Sequence, residues 1–270
     1  MKKLTILLAM LGMACVYTAC GGSDDDGADD VNPAIKTDGR INGHSYVEIG
    51  GLKWATMNVG ATTIAGSPST CYGDYFAWGE TEPRYTSLTI SDTNTFTIAG
   101  WKEGFSTGYL STPQYYGYVL DAEHDAATQN WGTAWRTPTS EEFKTLCEAC
   151  GGSTSMSSRY LADLSTSEPT GGIYKLSSYQ NFLPEYKGVA GILFVDRGDT
   201  SKRVFLPAAG FIEETRTAAG SSGHYWSSSL HNNNTAYNMY FYYSSEYAGK
   251  VTPTYPYFSH EGYSVRPVSD

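Results

Sequence analysis

The residues best equipped for chemistry are few and scattered. Cys147-Glu148-Ala149-Cys150 has the spacing of a thiol redox pair, but it closes an apolar helical pattern, whereas a low thiol pKa needs the helix N-terminus. Buried or locally paired structural cysteines are expected there, with Cys71 left over as an odd third. His124-Asp125, and His224 with nearby Ser227, could be drawn as base and nucleophile. No strained Gly-x-Ser-x-Gly turn surrounds Ser227, however, and His124 falls on an expected helix surface. Among 28 acidic residues some pair always suits a glycosidase on paper, so the count selects none. A lectin-type calcium site needs about six to eight oxygens; Glu82-Pro83 and Glu168-Pro169 are the only remnants of one, with no Trp-Asn-Asp run beside them. The expectation is a protein that is not an enzyme, with no metal and no cofactor.

Recognition chemistry is denser. Between His224 and Tyr263 the chain places nine of its 22 tyrosines, four asparagines and repeated serines. Tyr offers a stiff amphipathic ring with two torsions to order, and Ser and Asn offer small adaptable donors and acceptors, the mixture used by antibody loops. A Tyr-rich β-sheet would have a similar composition, because Tyr also favours strands.

The elements that must position these residues begin after a leader. Met1-Lys2-Lys3 and the short apolar run 4–16 read as a secretory signal, too brief to span a bilayer. Tyr17-Thr18-Ala19-Cys20 resembles a bacterial lipoprotein lipobox, with Tyr17 where Leu is usual, and Cys20 is the residue that would be acylated. Residues 20–40 form an acidic tether that cannot bury enough apolar surface to fold, and the polar linker runs on to residue 45. The acidic run 24–30 lacks the spacing and closing Glu of a calcium loop. Loss of residues 1–19 would move the formal charge from −10 to −12, which disfavours nucleic acid.

Residues 41–270 then form one domain. A hairpin is expected around Gly50-Gly51 within 46–57, an irregular aromatic segment at 72–83 and a long loop at 84–118. One helix should start at Asp121 and run to Thr128. Another follows Pro138 with the capping box Thr139-Ser140-Glu141-Glu142, buries Phe143, Leu146, Cys147 and Cys150, and stops at Gly151-Gly152. Strands are expected at 188–195, 203–212, 225–229, 237–243 and 262–268. Two helices early and antiparallel strands late define an α+β domain.

Trp54-Ala55-Thr56-Met57-Asn58-Val59-Gly60-Ala61, Tyr72-Gly73-Asp74-Tyr75-Phe76-Ala77-Trp78-Gly79-Glu80, Trp135-Arg136-Thr137-Pro138-Thr139, Tyr225-Trp226-Ser227-Ser228-Ser229 and Ser264-Val265-Arg266-Pro267-Val268 occur in succession. Together they resemble the Fibrobacter-type major paralogous domain and related Bacteroidota surface lipoproteins. The resemblance implies a C-type lectin-like fold, a lipid anchor at Cys20 and an outer-membrane, cell-surface location. Its C-terminal segment, 224–263, also resembles the variable region of proteins diversified by adenine-mutating retroelements.

On that basis alternation puts Tyr237, Met239 and Phe241 toward the core and Asn238, Tyr240 and Tyr242 outward. Trp226 and Val265 are core positions, and Arg266 is expected in a structural ion pair. Tyr243, Tyr247, Tyr255, Tyr257 and His260 are placed in loops, and with His231, Asn232 and Asn233 they complete the expected ligand-binding set. The implied partner is an extracellular protein or glycan. An alternative is a structural or fimbria-associated subunit of an extracellular assembly; a hydrolase on the same scaffold is more distant.

Overall fold

A computed structural model describes residues 35–83, 119–151, 158–213, 216–232, 235–242 and 249–270. The leader, Cys20 and the 84–118 loop lie outside them. The chain starts earlier than its polar composition suggests. β1 (Gly39–Ile41), β2 (His44–Ile49) and β3 (Leu52–Ala55) form consecutive hairpins. Both turns have positive φ at both central residues, at Asn42-Gly43 and Gly50-Gly51, the geometry that matches strand twist and favours Asn and Gly. Asn42-Gly43 therefore makes structure of a stretch that reads as linker.

Three short helices follow. α1 (Pro68–Cys71) is a single turn opened by proline. The helix expected from Asp121 is broken in two: a 3₁₀ turn at Ala122–His124 is capped by Asp121, and α2 (Ala126–Trp131) is capped by Asp125. Asp125 has extended backbone and is buried, its carboxylate accepting from Thr128 N, Thr137 N and Thr137 Oγ1. α3 (Ser140–Gly151) has the expected reciprocal cap, with Thr139 N donating to Glu142 Oε2 (2.7 Å) and Glu142 N to Thr139 Oγ1 (3.2 Å).

The remaining strands are β4 (Arg159–Tyr160), β5 (Ala162–Asp163), β6 (Gly172–Leu176), β7 (Gly191–Val195), β8 (Arg203–Pro207), β9 (Phe211–Ile212), β10 (Arg216–Thr217), β11 (Ser222–Asn232), β12 (Thr235–Tyr242), β13 (Lys250–Phe258) and β14 (Val268–Ser269). They make sheets ordered β1-β2-β3-β14, β5-β6-β7-β8 and β11-β12-β13-β4, and a two-stranded β10-β9 ribbon. All pairings are antiparallel except β5 with β6. The molecule is thus mixed α+β with few helices and several antiparallel sheets.

Two apolar cores explain the strand patterns. One lies under α3 and joins Trp54, Phe143, Leu146, Phe194, Tyr225, Met239 and Phe241; the other joins Trp78, Trp135, Phe205, Trp226, Tyr263 and Val265. β7 separates them, with Ile192 and Phe194 in the first and Leu193 and Val195 in the second. A strand buried on both faces reads as a continuous apolar run, which is why Gly-Ile-Leu-Phe-Val does not alternate.

The indole nitrogens tie distant segments together. Trp226 Nε1 donates to Phe76 O and Trp78 Nε1 to Ser227 O, both at 2.8 Å, while Trp135 Nε1 donates to Ile41 O at 3.1 Å. Arg266 is fully buried, yet it is not in the expected ion pair. Its Nε donates to Asn58 Oδ1 and its Nη1 to Ala55 O, each at 2.9 Å. Burial pulls its pKa down to about 10. The expected strand at 262–268 is only β14 at its end; its earlier residues join the structure through isolated bridges, Ile212 to Gly262, Phe76 to Tyr263 and Tyr225 to Ser264.

Candidate functional site

The β11-β12-β13-β4 sheet carries the candidate site. On one face Tyr225, Met239, Phe241 and Val251 pack into the α3 core. On the other, Trp226, Leu230 and Ala236 are covered, but farther along the strands the cover ends and aromatic rings remain open. Register brings them together. His224 lies opposite Tyr240, Asn238 opposite Tyr255, and Ala236 opposite Tyr257.

The result is a ladder of rings. Centroid separations are 5.7 Å for Tyr242 to Tyr240, 5.4 Å for Tyr240 to Tyr255, 6.3 Å for Tyr255 to Tyr257 and 5.6 Å for Tyr257 to Phe258. Phe258 in turn stacks on His260 at 5.5 Å. Such spacings are those of favourable aromatic pairs. Tyr242, Tyr255 and Phe258 stay 40%, 39% and 50% exposed, while Tyr240, Tyr257 and His260 are half-buried.

Beneath the ladder sits a buried polar floor. The His224 ring is 4.5 Å from Tyr240, 4.6 Å from Tyr263 and 4.8 Å from Phe211. Burial drives its pKa down to about 3, against a smaller opposing effect of the Asn238 side chain, so it is neutral at ordinary pH. Tyr263 OH and Glu261 Oε2 are buried without hydrogen-bond partners. The Ile212–Gly262 bridge places Glu213 across from Glu261. Burial first, and then the charge of Glu213, raises the Glu261 carboxyl to about 8.

The expected site residues divide into groups. Tyr240, Tyr242, Tyr255, Tyr257 and His260 come together on the open face, although Tyr255 and Tyr257 belong to β13 and not to a loop. Pro253 and Pro256 are tolerated in that strand. Pro253 lies where register slips between β12 and β13, and among the described residues β4 pairs with Lys250 and Val251, short of both prolines. Asn238 is a correction: it is fully buried, with Nδ2 donating to Tyr255 O at 2.7 Å. Its outward neighbours on the strand are open only because the cover stops short of them.

Tyr237 is a second correction, half-buried where a core position was expected, with His231 edge-on at 4.9 Å. His231 and Asn232 stand at the β11–β12 connection. His231 Nδ1 is 2.8 Å from Thr235 Oγ1, and Asn232 Oδ1 accepts from Thr235 N. They shape that connection as much as they present a surface. Asn233, Tyr243 and Tyr247 lie outside the described residues.

Sequence reasoning missed Phe211, Phe258, Glu261 and the inward role of His224. The reversal of direction at 258–263, which folds Glu261 and Tyr263 back beneath β13, has no periodic signature. The groups singled out for other chemistry do not assemble. Cys147 and Cys150 are free thiols on the buried face of α3, both raised by burial, Cys147 to about 12. Ser227 Oγ donates to Tyr237 O at 2.7 Å. Among the described residues no group of three or more His, Cys, Asp or Glu is placed to hold a metal ion, and no helix is long and apolar enough to cross a membrane.

Fold and site together describe a mixed α+β protein presenting an aromatic sheet face. A family model, described as a domain of unknown function (DUF8237), matches residues 189–268. That span runs from the approach to β7 into β14 and contains the whole ladder. No curated protein and no solved structure matches the chain.

Proposed function

We propose that the chain is a surface-anchored binding protein with a C-type lectin-like domain, tethered to the outer membrane through a lipid on Cys20. It grips an extracellular protein or glycan through the β12–β13 aromatic face. The observation that carries this reading is the ladder from Tyr242 to His260, in which contiguous rings stay partly open. Isolated exposed apolar residues are ordinary, whereas a contiguous exposed patch marks an interaction surface. Tyr is also enriched among residues that dominate binding energy, because one ring supplies both apolar area and a hydroxyl.

The resemblance to the Fibrobacter-type major paralogous domain supports the same reading. The residues that carry it, Trp54, Asn58, Trp78, Trp135, Trp226 and Arg266, are in or beside the cores, and Tyr242 and Tyr255 are open. A buried frame with a substitutable face is the division that a diversifying retroelement requires. Assembly by strand addition is less well supported, since β13 carries Pro253 and Pro256, which cannot donate to an added strand.

The test is a glycan array and surface-proteome pull-down with the full chain and with Tyr242→Ala/Tyr255→Ala. Ligand captured by the native protein and lost in the double variant supports the proposal; capture that is unchanged removes the face from it. Sequencing the 3′ end of the gene across isolates tests the retroelement element: substitutions should cluster at adenines in exposed-face codons and spare those of Trp226, Asn238 and Arg266.

A further inference from the structure

A cleft of about 390 Å³ lies away from the ladder, at the C-terminal end of α3. It is lined by Gly151, by Arg159 and Tyr160 of β4, by Gly171 and Gly172 at the head of β6, and by Arg197 just after β7. Its volume is in the range of small-molecule sites, about 300–1,000 Å³. Its charge is one-sided. Among the described residues two guanidinium groups line it and no carboxylate does, in a chain of formal charge −10.

These two arginines differ from others in the fold. Arg136 and Arg203 face carboxylates and Arg266 is held by Asn58 and Ala55. Arg159 Nε, by contrast, is buried without a hydrogen-bond partner, a costly state for a donor on a charged group. Two acids on adjoining segments are engaged elsewhere. Asp196 accepts from Gly198 N and Asp199 N within its own turn, and Asp163 pairs with Lys175.

Local geometry seats both side chains. A Cβ on Gly171 would come within 2.4 Å of Arg197, and one on Gly151 within 3.1 Å of Arg159 Cδ, so the glycines leave the room the arginines occupy. Arg197 N also donates to Ala149 O, occupying one carbonyl at the negative end of α3. On the opposite face of β4, shared with Tyr242, Lys250 Nζ stands 4.8 Å from the centre of the Tyr160 ring, and Tyr160 is 66% exposed. A planar guanidinium fork matches the paired oxygens of a carboxylate or sulfate.

We infer that this cleft is a second binding site, for the carboxylate or sulfate of an acidic sugar held by Arg159 and Arg197. The inference is independent of the tyrosine ladder. Isothermal titration of the full chain at constant ionic strength, with glucuronate and glucose 6-sulfate as probes and glucose and inorganic sulfate as controls, tests it. One acidic sugar should bind saturably and at least about tenfold more tightly than either control. Arg197→Ala, which removes an exposed side chain and should leave the fold intact, should weaken that binding about tenfold; Tyr255→Ala should not alter it. The inference is overturned if neither acidic sugar outbinds glucose, if inorganic sulfate binds as well as the sugars, or if Arg197→Ala binds like the native chain.

Discussion

Arg266 and Asn58, 208 residues apart in sequence, are joined by a 2.9 Å hydrogen bond in the interior, and Asn58 Nδ2 passes the connection on to Tyr72 O at 2.8 Å. One side chain thus links three segments, and the charge at its centre is neutralised by dipoles, not by a carboxylate. Asn58→Ala would strand a buried guanidinium N–H and a backbone carbonyl. The expected cost is about 1.5–3 kcal/mol, read as a lowered urea midpoint. An unchanged midpoint would mean that the bond adds nothing.

The aromatic face and the core beneath it should respond oppositely. Tyr242→Ala and Tyr255→Ala remove partly exposed rings and should shift stability by no more than about 1 kcal/mol. Phe241→Ala and Trp226→Ala empty buried volume and should cost about 3–5 kcal/mol. Thermal melts of the four variants decide the matter, and a large loss from Tyr255→Ala would place that ring in the core.

Glu261 sets a pH dependence whose sign is unusual for a carboxylate. Burial and Glu213 raise its folded pKa from 4.5 to about 8, so between those values the folded state holds a proton that the unfolded state releases. Its contribution to stability is therefore greatest below about pH 4.5 and declines as pH rises to about 8, by at most about 1.4 kcal/mol per unit. Urea titrations at several pH values should give a shallower decline for Glu261→Gln. Identical slopes in the two proteins would show that the carboxyl ionises normally.

The thiols make a simpler case. Cys71, Cys147 and Cys150 are buried and burial raises all three pKa values. Peptides containing them should remain unlabelled by a thiol reagent in the native protein at pH 8 and become labelled in denaturant, as mass spectrometry can read. Rapid native labelling of Cys150 would indicate that the end of α3 opens.

Thr139→Ala should destabilise the chain by about 1 kcal/mol, since it removes one half of the reciprocal cap on α3. Thr139→Ser should restore most of the loss. Equal stability of the alanine and serine variants would leave the Glu142 half, to Thr139 N, as the whole of the cap.

The sequence was most legible where a local rule determines structure. The α3 cap, the Gly50-Gly51 turn and the apolar β7 run each have a signature within a few residues. Asn238 shows the limit: alternation assigns it correctly to the face of Tyr240 and Tyr242, but burial there depends on Trp226 and residues beyond, which arrive from other segments. β13 was obscured by Pro253 and Pro256, because whether proline is tolerated depends on whether a neighbour needs its N–H, and that neighbour, β4, is short and far away in sequence. Glu261 was illegible for the same reason: its character comes from burial and from Glu213, just after β9 and distant in sequence. The tyrosine face could be located from composition, and its floor could not.

The clasp between β3 and β14 has a consequence for the birth of the molecule. Val268 and Ser269 pair with Trp54 and Lys53, Ala55 N donates to Pro267 O, and Val59 N to Val265 O. The first sheet of the domain therefore waits for residues more than 200 positions later to be synthesised. Contacts of such long sequence separation slow folding. A growing chain of this sequence therefore cannot complete its first sheet until residues 265–269 have been made.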